Sequence, residues 1–419
     1  MGLMRRSAAL FVGIALGSAC LVAVVAAPAA ATTVSNEAAF RAAWTTPAAA
    51  NIKLAKDIKL TCARGGVAVR NSPKLLTVDG QGHAIIQSCA NSGVLEQAGA
   101  GGLRMRKLTI TGGAATGTGV PPGSGGGGVH TSGDLSLTAG RITRNTAAGW
   151  GGGIFAHGAV TLTRSLVSDN TSSNGGGGIW VEGNLKIANS TIRNNNDAGT
   201  FGGGGISATS ATATATVINS TITGNTAGLT SGGIGGGGIA ANGSWTITNS
   251  TITGNTAGSF GGGGIVTAIP SHVTLVYTTV VDNTSSNGAN VLAFNPLVSF
   301  GSVVALPQGS ANCANPQNSN GFNLSDDASC AFTRPSDRQN VAPQLGALAN
   351  NGGPTQTRRP QQTSPLVDAV SSASCQADGA AGITTDQRAL GRPHGPDCDI
   401  GAVELEFGEP RPPPTTMGA

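Results

Sequence analysis

Apolar and polar residues alternate in short runs along most of this chain, with the two-residue period of a strand. In SWTITNSTIT (244–253), Trp245, Ile247 and Asn249 fall on one side of an extended segment and the Thr residues fall on the other. The phase shifts at the following Ser-Thr step, after which Ile252 returns to the first side. The pattern predicts short β-strands joined by corners and does not match helical spacing.

The pattern repeats every 25 to 30 residues. NSTIRNN (189–195) is followed by NSTITGN at 219–225 and 249–255, and weaker copies occupy 139–145, 164–170 and 277–283. A unit of this length with several short strands and no helix is typical of one coil of a β-solenoid. The last residues of the six copies form a column, in which a stack of Asn amides would hydrogen-bond from coil to coil: Asn145, Asn170, Asn195, Asn225, Asn255 and Asn283.

A second series interleaves with the first, because a Gly run precedes an apolar residue once per unit. Gly permits positive φ and close backbone approach, so these runs predict a tight corner before an inward Ile. We also expect the column Asn residues to tolerate a left-handed corner. The fold class is therefore all-β, a right-handed parallel β-helix, the handedness following from the crossover rule.

The pattern predicts about nine or ten coils over residues 51–305. Residues 32–50 would form an N-terminal cap, in which SNEAAFRAAW (35–44) reads as a helix capped by Ser35 or Asn36. The repeat fades after about Ala305. We interpret residues 306–404 as a loop-rich, disulfide-pinned C-terminal cap, with an independent module as the alternative, and residues 405–419 as a disordered Pro-rich tail.

Residues 1–31 combine a basic start with a long apolar run and an Ala-rich end, which is typical of a secretory signal peptide. A membrane anchor is the alternative, and a lipoprotein at Cys20 is disfavoured because Gly17 stands where an aliphatic residue is expected. The mature chain would then contain no membrane span, since its tail lacks an apolar stretch.

Six cysteines remain after residue 31, and an even number in an exported chain suggests disulfides. Six cysteines allow 15 pairings, of which short loop closure favours those between neighbours in the sequence. Free buried thiols are the alternative, and the spacings do not match a zinc site. The neighbour pairs are Cys62 with Cys89, Cys313 with Cys330, and Cys375 with Cys398.

Composition and charge exclude several classes of function. With 66 Gly and 4% aromatic residues, the chain cannot build an ordinary globular core. Without Arg5 and Arg6 the formal charge falls from +4 to +2, and Lys and Arg are scattered along the sequence. We therefore expect no nucleic-acid partner and no cofactor.

Few residues are placed where they could form a catalytic or ligand-binding site. Asp169 and Asp282 each precede a column Asn, but four coil steps, about 19 Å, separate them, which is too far for a catalytic pair. The five histidines fall at unrelated points of the repeat, and no acid cluster is expected. Trp150, Phe201 and Phe260 each precede a Gly run, where a ring could stack on a sugar or pack over bare Gly backbone.

The C-terminal region resembles a known bacterial family. GFNLSDDASCAF (321–332), NNGGPTQT (350–357), SPLVDA (364–369) and TDQRALGRPHGPDCDIGAVE (385–404) are similar to the corresponding region of choice-of-anchor Q proteins, which carry a right-handed β-helix. The resemblance implies no catalytic role for this motif. Arg388 and Arg392 are expected to pair with nearby acids and so fix irregular backbone: Asp386, Asp399 or Glu404.

Together these observations predict a secreted or cell-surface structural or adhesion protein without evident catalysis. The expected partners are extracellular polysaccharides or host or cell-surface glycans. Two alternatives stay open, a carbohydrate-binding protein and a polysaccharide lyase or hydrolase of the pectin-lyase-like fold.

Overall fold

The computed structural model describes residues 31–47, 51–116, 125–199, 201–228, 234–377 and 379–406. The predicted signal peptide therefore lies outside the described residues except for Ala31, as does most of the Pro-rich tail. Within the described ranges the chain is a parallel β-solenoid of stacked coils, which confirms the predicted fold class. No helix in these ranges is long and apolar enough to cross a bilayer.

The central coils pass in order through four parallel sheets, which we name C, A, B and D. Sheet C contains Ala68–Arg70, Leu95–Gln97, Val129–Thr131, Ile154–Ala156, Ile179–Val181, Ile206–Ala208, Ile239–Ala241, Ile265–Thr267 and Val291–Ala293. Sheet A contains Thr32–Val34, Asn51–Leu54, Leu76–Asp79, Leu103–Arg106, Leu135–Thr138, Val160–Thr163, Leu185–Ala188, Thr214–Ile218, Ser244–Thr248, His272–Val276, Val298–Phe300 and Asn318–Gly321.

The other two parallel sheets complete the coil. Sheet B contains Ile58–Leu60, Ala84–Gln87, Thr109–Thr111, Arg141–Thr143, Leu166–Ser168, Thr191–Arg193, Thr221–Thr223, Thr251–Thr253, Thr279–Val281 and Val303–Ala305. Sheet D contains Ala114–Ala115, Thr146–Ala147, Thr171–Ser172, Asn196–Asp197, Thr226–Ala227 and Thr256–Ala257. Phe201–Gly203 and Ile234–Gly236 form a separate two-stranded parallel sheet. Leu345–Ala349 and Thr357–Pro360 form an antiparallel pair.

Identical positions of successive coils lie over one another. In sheet B, Ile192 pairs in register with Ile222, which pairs with Ile252, and all three are buried. Neighbouring strands are about 4.8 Å apart, so each inward side chain covers the next one and the core becomes a thin continuous column.

The expected Asn column forms a ladder at the corner between sheets B and D. The Nδ2 of each Asn donates to the Oδ1 of the Asn one coil further on, at 2.9 Å for all five steps from Asn145 to Asn283. Asn290 and Asn312 extend the ladder by two steps, although neither belongs to the repeat that predicted it. The ladder satisfies amides that would otherwise be costly to bury.

The left-handed backbone lies elsewhere than the column Asn residues, so that expectation needs correction. Positive φ falls at the first Asn of NSTI, with 52° at Asn189 and 50° at Asn219, and at the residue preceding the ladder Asn, such as Asp169 at 57°. The Ser of NSTI forms a second buried column, since the amide of Ser190 donates to the Oγ of Ser220 at 3.1 Å.

The Gly runs are required mainly by close stacking of one coil on the next. A Cβ at Gly152 would lie 2.4 Å from the carbonyl oxygen of Thr171 and 2.5 Å from that of Gly177. Positive φ is confined to particular members, such as Gly151 at 63°. Each run therefore allows the backbone to turn tightly before the inward Ile of sheet C.

A short helix, Glu37–Thr45, covers the N-terminal end of the core. Asn36 caps it by accepting a hydrogen bond from the amide of Ala39 at 2.9 Å, and Phe40 and Trp44 are fully buried. A single 3₁₀ turn, Cys62–Arg64, follows the first sheet B strand.

The three disulfides join neighbouring cysteines. Cys62–Cys89, Cys313–Cys330 and Cys375–Cys398 have Cα–Cα distances of 4.8, 4.9 and 5.8 Å. The first two link adjacent coils, because the coil separation matches the reach of a disulfide. Parallel pairing continues beyond Ala305, since Asn318–Gly321 pairs with Val298–Phe300 and Leu324 bridges both Val303 and Arg338.

Residues 341–406, which we call the C-terminal segment, lie along the outer face of sheet B. Thr221 Oγ1 donates to the carbonyl oxygen of Gln356 at 2.5 Å, and Thr251 Oγ1 donates to Gln387 Oε1 at 2.7 Å. One coil further on, the amide of Ala402 donates to Thr279 Oγ1 at 3.1 Å. The C-terminal segment therefore covers the side of consecutive coils.

Candidate functional site

The outer face of sheet C carries the most unusual side chains of the solenoid. The middle residue of each three-residue strand points outward, because its neighbours on both sides point into the core. In register these outward residues are Glu96, His130, Phe155, Trp180, Ser207, Ala240, Val266 and Leu292. Three consecutive coils thus place a ring at the same position.

The rings are in mutual contact. His130 stacks on Phe155 with ring centroids 4.9 Å apart and an interplanar angle of 13°. Trp150 lies 5.5 Å from Trp180 and 6.2 Å from Phe155, and His157 lies 4.7 Å from Phe155. These five residues, which we call the aromatic patch, span about three coils.

The patch is apolar at its base and polar at its rim. Phe155 is 4% exposed, Trp150 and Trp180 are half-buried, and His157 is exposed. His157 Nδ1 lies 2.7 Å from Glu182 Oε2, and both side chains are more than 40% exposed. The patch therefore offers ring faces beside hydrogen-bonding groups, the combination that recognises ligands with both apolar faces and hydroxyls.

Burial perturbs the titratable groups nearest the rings. Desolvation lowers the pKa of His130, and a smaller effect of His157 acts in the same direction. Desolvation also raises the pKa of Glu96, one coil away on the same face. At neutral pH the centre of the patch therefore carries an uncharged imidazole.

The three sugar-stacking candidates are not brought together. Trp150 joins the aromatic patch, whereas Phe260 is 56% exposed and lies at a separate turn. The side chain of Phe201 lies outside the described residues. His130 and His157 occupy different points of the repeat, since His130 pairs in register with Phe155, but adjacent coils bring their rings within 5.7 Å.

Sequence reasoning missed the rest of the patch. His130, Phe155 and Trp180 each directly follow the apolar residue that ends a Gly run, in VHT, IFA and IWV. The outward middle position of the sheet C strand is the signal that identifies them, whereas the ring residues predicted from the sequence precede the Gly runs.

An open groove of about 480 Å³ lies further along the same face. Ala240 and Val266 form its floor, and the more exposed Ile269 and Phe294 form its sides. Its walls carry few polar groups, so it offers shape and apolar contact with little to fix a ligand's orientation.

Carboxylates of the described solenoid do not form a metal-binding cluster. No cluster of three or more His, Cys, Asp or Glu side chains in the described ranges could hold a metal ion. Asp282 pairs with Arg358 of the C-terminal segment. Asp197, a residue of sheet D, is buried. Desolvation raises its pKa to about 6, and hydrogen bonds from Gly199 and Ser172 only partly offset this rise.

Acids and arginines of the C-terminal segment pair internally, as the sequence led us to expect. Arg388 pairs with Asp386 at 2.8 Å and Arg392 with Glu404 at 2.6 Å, and all four are buried. The Arg392 guanidinium also lies 3.9 Å from the centre of the Tyr277 ring, on the solenoid. These pairs fix the backbone of the segment, and the contact of Arg392 with Tyr277 joins it to the coils.

Comparison with known proteins agrees with this architecture. Residues 31–231 match a family model described as "putative pectate lyase-like adhesive domain". No curated protein and no solved structure matches the chain. The matched residues include the aromatic patch and the first coils of the solenoid, so this part of the chain is similar to a pectate lyase-like adhesive β-helix.

Proposed function

We propose that this protein is an extracellular or cell-surface adhesion protein that binds glycans, without turning them over, through the aromatic patch. The observation that carries the proposal is the contiguous set of rings on the outer face of sheet C, centred on Phe155 and Trp180. The similarity of residues 31–231 to an adhesive domain supports the same role.

The chemistry of the patch suits a sugar ring. The apolar C–H faces of a pyranose stack on indole and phenyl rings, while its hydroxyls need hydrogen-bonding partners at the edge. His157 and Glu182 supply such partners on adjacent coils. Because Phe155 and Trp180 lie on paired strands, little ordering entropy is lost when a ligand binds.

Location outside the cytoplasm is supported by the three disulfides, which persist in oxidising compartments. We further propose that the leader directs export, that the C-terminal region acts as in choice-of-anchor Q proteins, and that the mature chain has neither a membrane span nor a nucleic-acid partner. A glycan on a host, on a neighbouring cell or in the matrix fits this location.

A glycan array followed by titration of the best ligand tests the proposal. Trp180→Ala removes one ring face, and we expect binding to weaken at least fivefold, since an aromatic contact contributes about 1 kcal/mol. Trp180→Phe keeps a ring and loses only an indole N–H that has no hydrogen-bond partner among the described residues, so it should retain most of the affinity. Phe260→Ala is the matched control, because Phe260 is exposed but lies outside the patch.

Two outcomes would overturn the proposal. One is the absence of glycan binding, or binding that Trp180→Ala leaves unchanged. The other is release of reducing sugars or unsaturated products from a polysaccharide by the purified protein, since that would make it an enzyme.

A further inference from the structure

The cations of four consecutive coils lie on one side of the solenoid, although they are scattered in the sequence. Residues 98–195 contain eight Lys and Arg residues. All eight occupy the outer faces of sheets A and B or the corners that adjoin sheet B, and none lies on sheet C. They are Arg104, Arg106, Lys107, Arg141, Arg144, Arg164, Lys186 and Arg193, which we call the basic face.

Almost none of these charges is neutralised by the protein. Arg106 pairs with Asp79 at 2.7 Å. The other seven side chains are exposed and make no ion pair or hydrogen bond to any described residue. Asp169 is the one acid within the face, and its carboxylate accepts hydrogen bonds from Asn194 and Thr143. Asp134 and Glu182 lie at the opposite edge of sheet A, where it meets sheet C.

The spacing of the basic face follows the coil repeat. Lys107 and Arg164 occupy the same corner two coils apart, about 10 Å at 4.8 Å per coil, and Arg193 lies one coil beyond Arg164. The four coils together extend about 14 Å along the axis. Thr161 and Thr163 add half-exposed hydroxyls between the cations. A linear polyanion lying along the axis would therefore meet a positive charge on every coil.

We propose that the basic face binds a polysaccharide carrying sulfate or phosphate groups. Arg and Lys pair strongly with tetrahedral oxyanions, and Arg does so with two parallel hydrogen bonds. The rings of these coils, including Trp150 and Trp180, cluster at sheet C, so the basic face lacks the stacking platforms that single-stranded nucleic acid uses. The face is separate from the aromatic patch and takes a different class of ligand.

The test measures binding of size-defined heparin fragments to the full chain. De-sulfated heparin, which keeps only its carboxylates, is the sulfate-free arm, and a phosphomannan is the phosphate arm. Arg141→Glu combined with Arg164→Glu should weaken heparin binding at least tenfold and make its dependence on salt shallower. Arg141→Lys combined with Arg164→Lys should keep most of the affinity, because both positive charges remain.

Lys74→Glu combined with Arg334→Glu is the matched control, since it changes the net charge equally at exposed sites away from the face. We expect it to change binding less than threefold. Thermal unfolding of each variant verifies that the fold is intact. Trp180→Ala should leave heparin binding unchanged, which separates this proposal from the glycan binding of the aromatic patch.

Three results would overturn the inference. The first is heparin binding that is unchanged in the protein carrying Arg141→Glu and Arg164→Glu. The second is binding of de-sulfated heparin as tight as that of heparin. The third is tighter binding of duplex DNA than of either anionic glycan with the same response to the variants, which would assign the face to nucleic acid.

Discussion

The coils before and after residue 200 share one interior but differ on the outer face of sheet B. In the earlier half this face is open, and exposed Arg141 and Arg193 stand on it. In the later half, Thr221 and Thr251 occupy the register position of Arg141. Both are fully buried and donate hydrogen bonds to the C-terminal segment. We call these the open half and the covered half.

The difference shows that the repeat determines the packing of the interior. Residues outside the repeat determine which outer faces are exposed and which charges they carry. Residues 194–333 contain no Lys or Arg. A cation left under the C-terminal segment without a partner would carry a large desolvation cost. The buried cations of this interface, Arg388 and Arg392, belong to the segment and are paired. The cations of the basic face, which lies in the open half, are exposed to solvent.

Breaking a buried pair should have the largest effect. Arg392→Ala leaves Glu404 buried without its partner and removes the guanidinium from the Tyr277 ring. We expect a loss of about 3–5 kcal/mol in the free energy of unfolding, measured by urea titration. Arg164→Ala in the open half is the control and should change it by less than about 0.5 kcal/mol. Equal losses in the free energy of unfolding for the two variants would contradict the contrast between the open and covered halves.

A smaller effect is expected at Asp197, where the open half ends. Its carboxyl is 1% exposed and its pKa is raised to about 6 from 3.8. Because the folded state binds this proton more tightly than the unfolded chain, the stabilisation present at acid pH is lost as the pH rises through about 6. The penalty at pH 8 is about 3 kcal/mol.

Asp197→Asn should therefore raise the free energy of unfolding by about 3 kcal/mol at pH 8 and change it little below pH 4. Urea titrations of the two proteins at both pH values measure this. Burial and neighbouring Glu404 raise the pKa of Asp399 to about 7, so Asp399 also makes stability depend on pH. This contribution is the same in the wild type and in Asp197→Asn, and it cancels when the two proteins are compared. If the two proteins differed in free energy of unfolding by the same amount at both pH values, the raised pKa of Asp197 would be refuted.

The interior should respond equally in both halves. Asn170 of the open half and Asn255 of the covered half are both fully buried and make the same ladder contacts. Replacing either by Ala leaves its ladder neighbours without a partner, and we expect a loss of about 2 kcal/mol each. Asn174→Ala, at an exposed position, is the control and should cost far less. A loss at one ladder position several times that at the other would mean that the repeat does not set the core.

The sequence predicted what the repeat controls. Columns of Ile and Asn recur at fixed spacing, so the stacking, the ladder and the N-terminal helix around Phe40 and Trp44 followed from period and capping rules. Neighbouring cysteines pair for the same reason, because one coil separates Cys62 from Cys89.

Contacts between side chains of different coils, and between the coils and the C-terminal segment, did not follow from the sequence. Adjacent coils bring the rings of His130 and His157 within 5.7 Å, although the two residues occupy different points of the repeat. The basic face was missed because its charges are scattered in the chain and meet only after stacking. The contact of Gln387 with Thr251 spans 136 residues and has no periodic signal.

The most direct test of the open and covered halves compares two register-equivalent positions. Thr191→Cys and Thr251→Cys, each in a Cys20→Ser background, place one free thiol on the outer face of sheet B in either half. Maleimide labelling of the native protein, mapped by mass spectrometry, should modify the thiol at 191 rapidly and leave the thiol at 251 protected by the C-terminal segment, and both should label at the same rate in guanidinium. Equal native labelling rates would contradict the account.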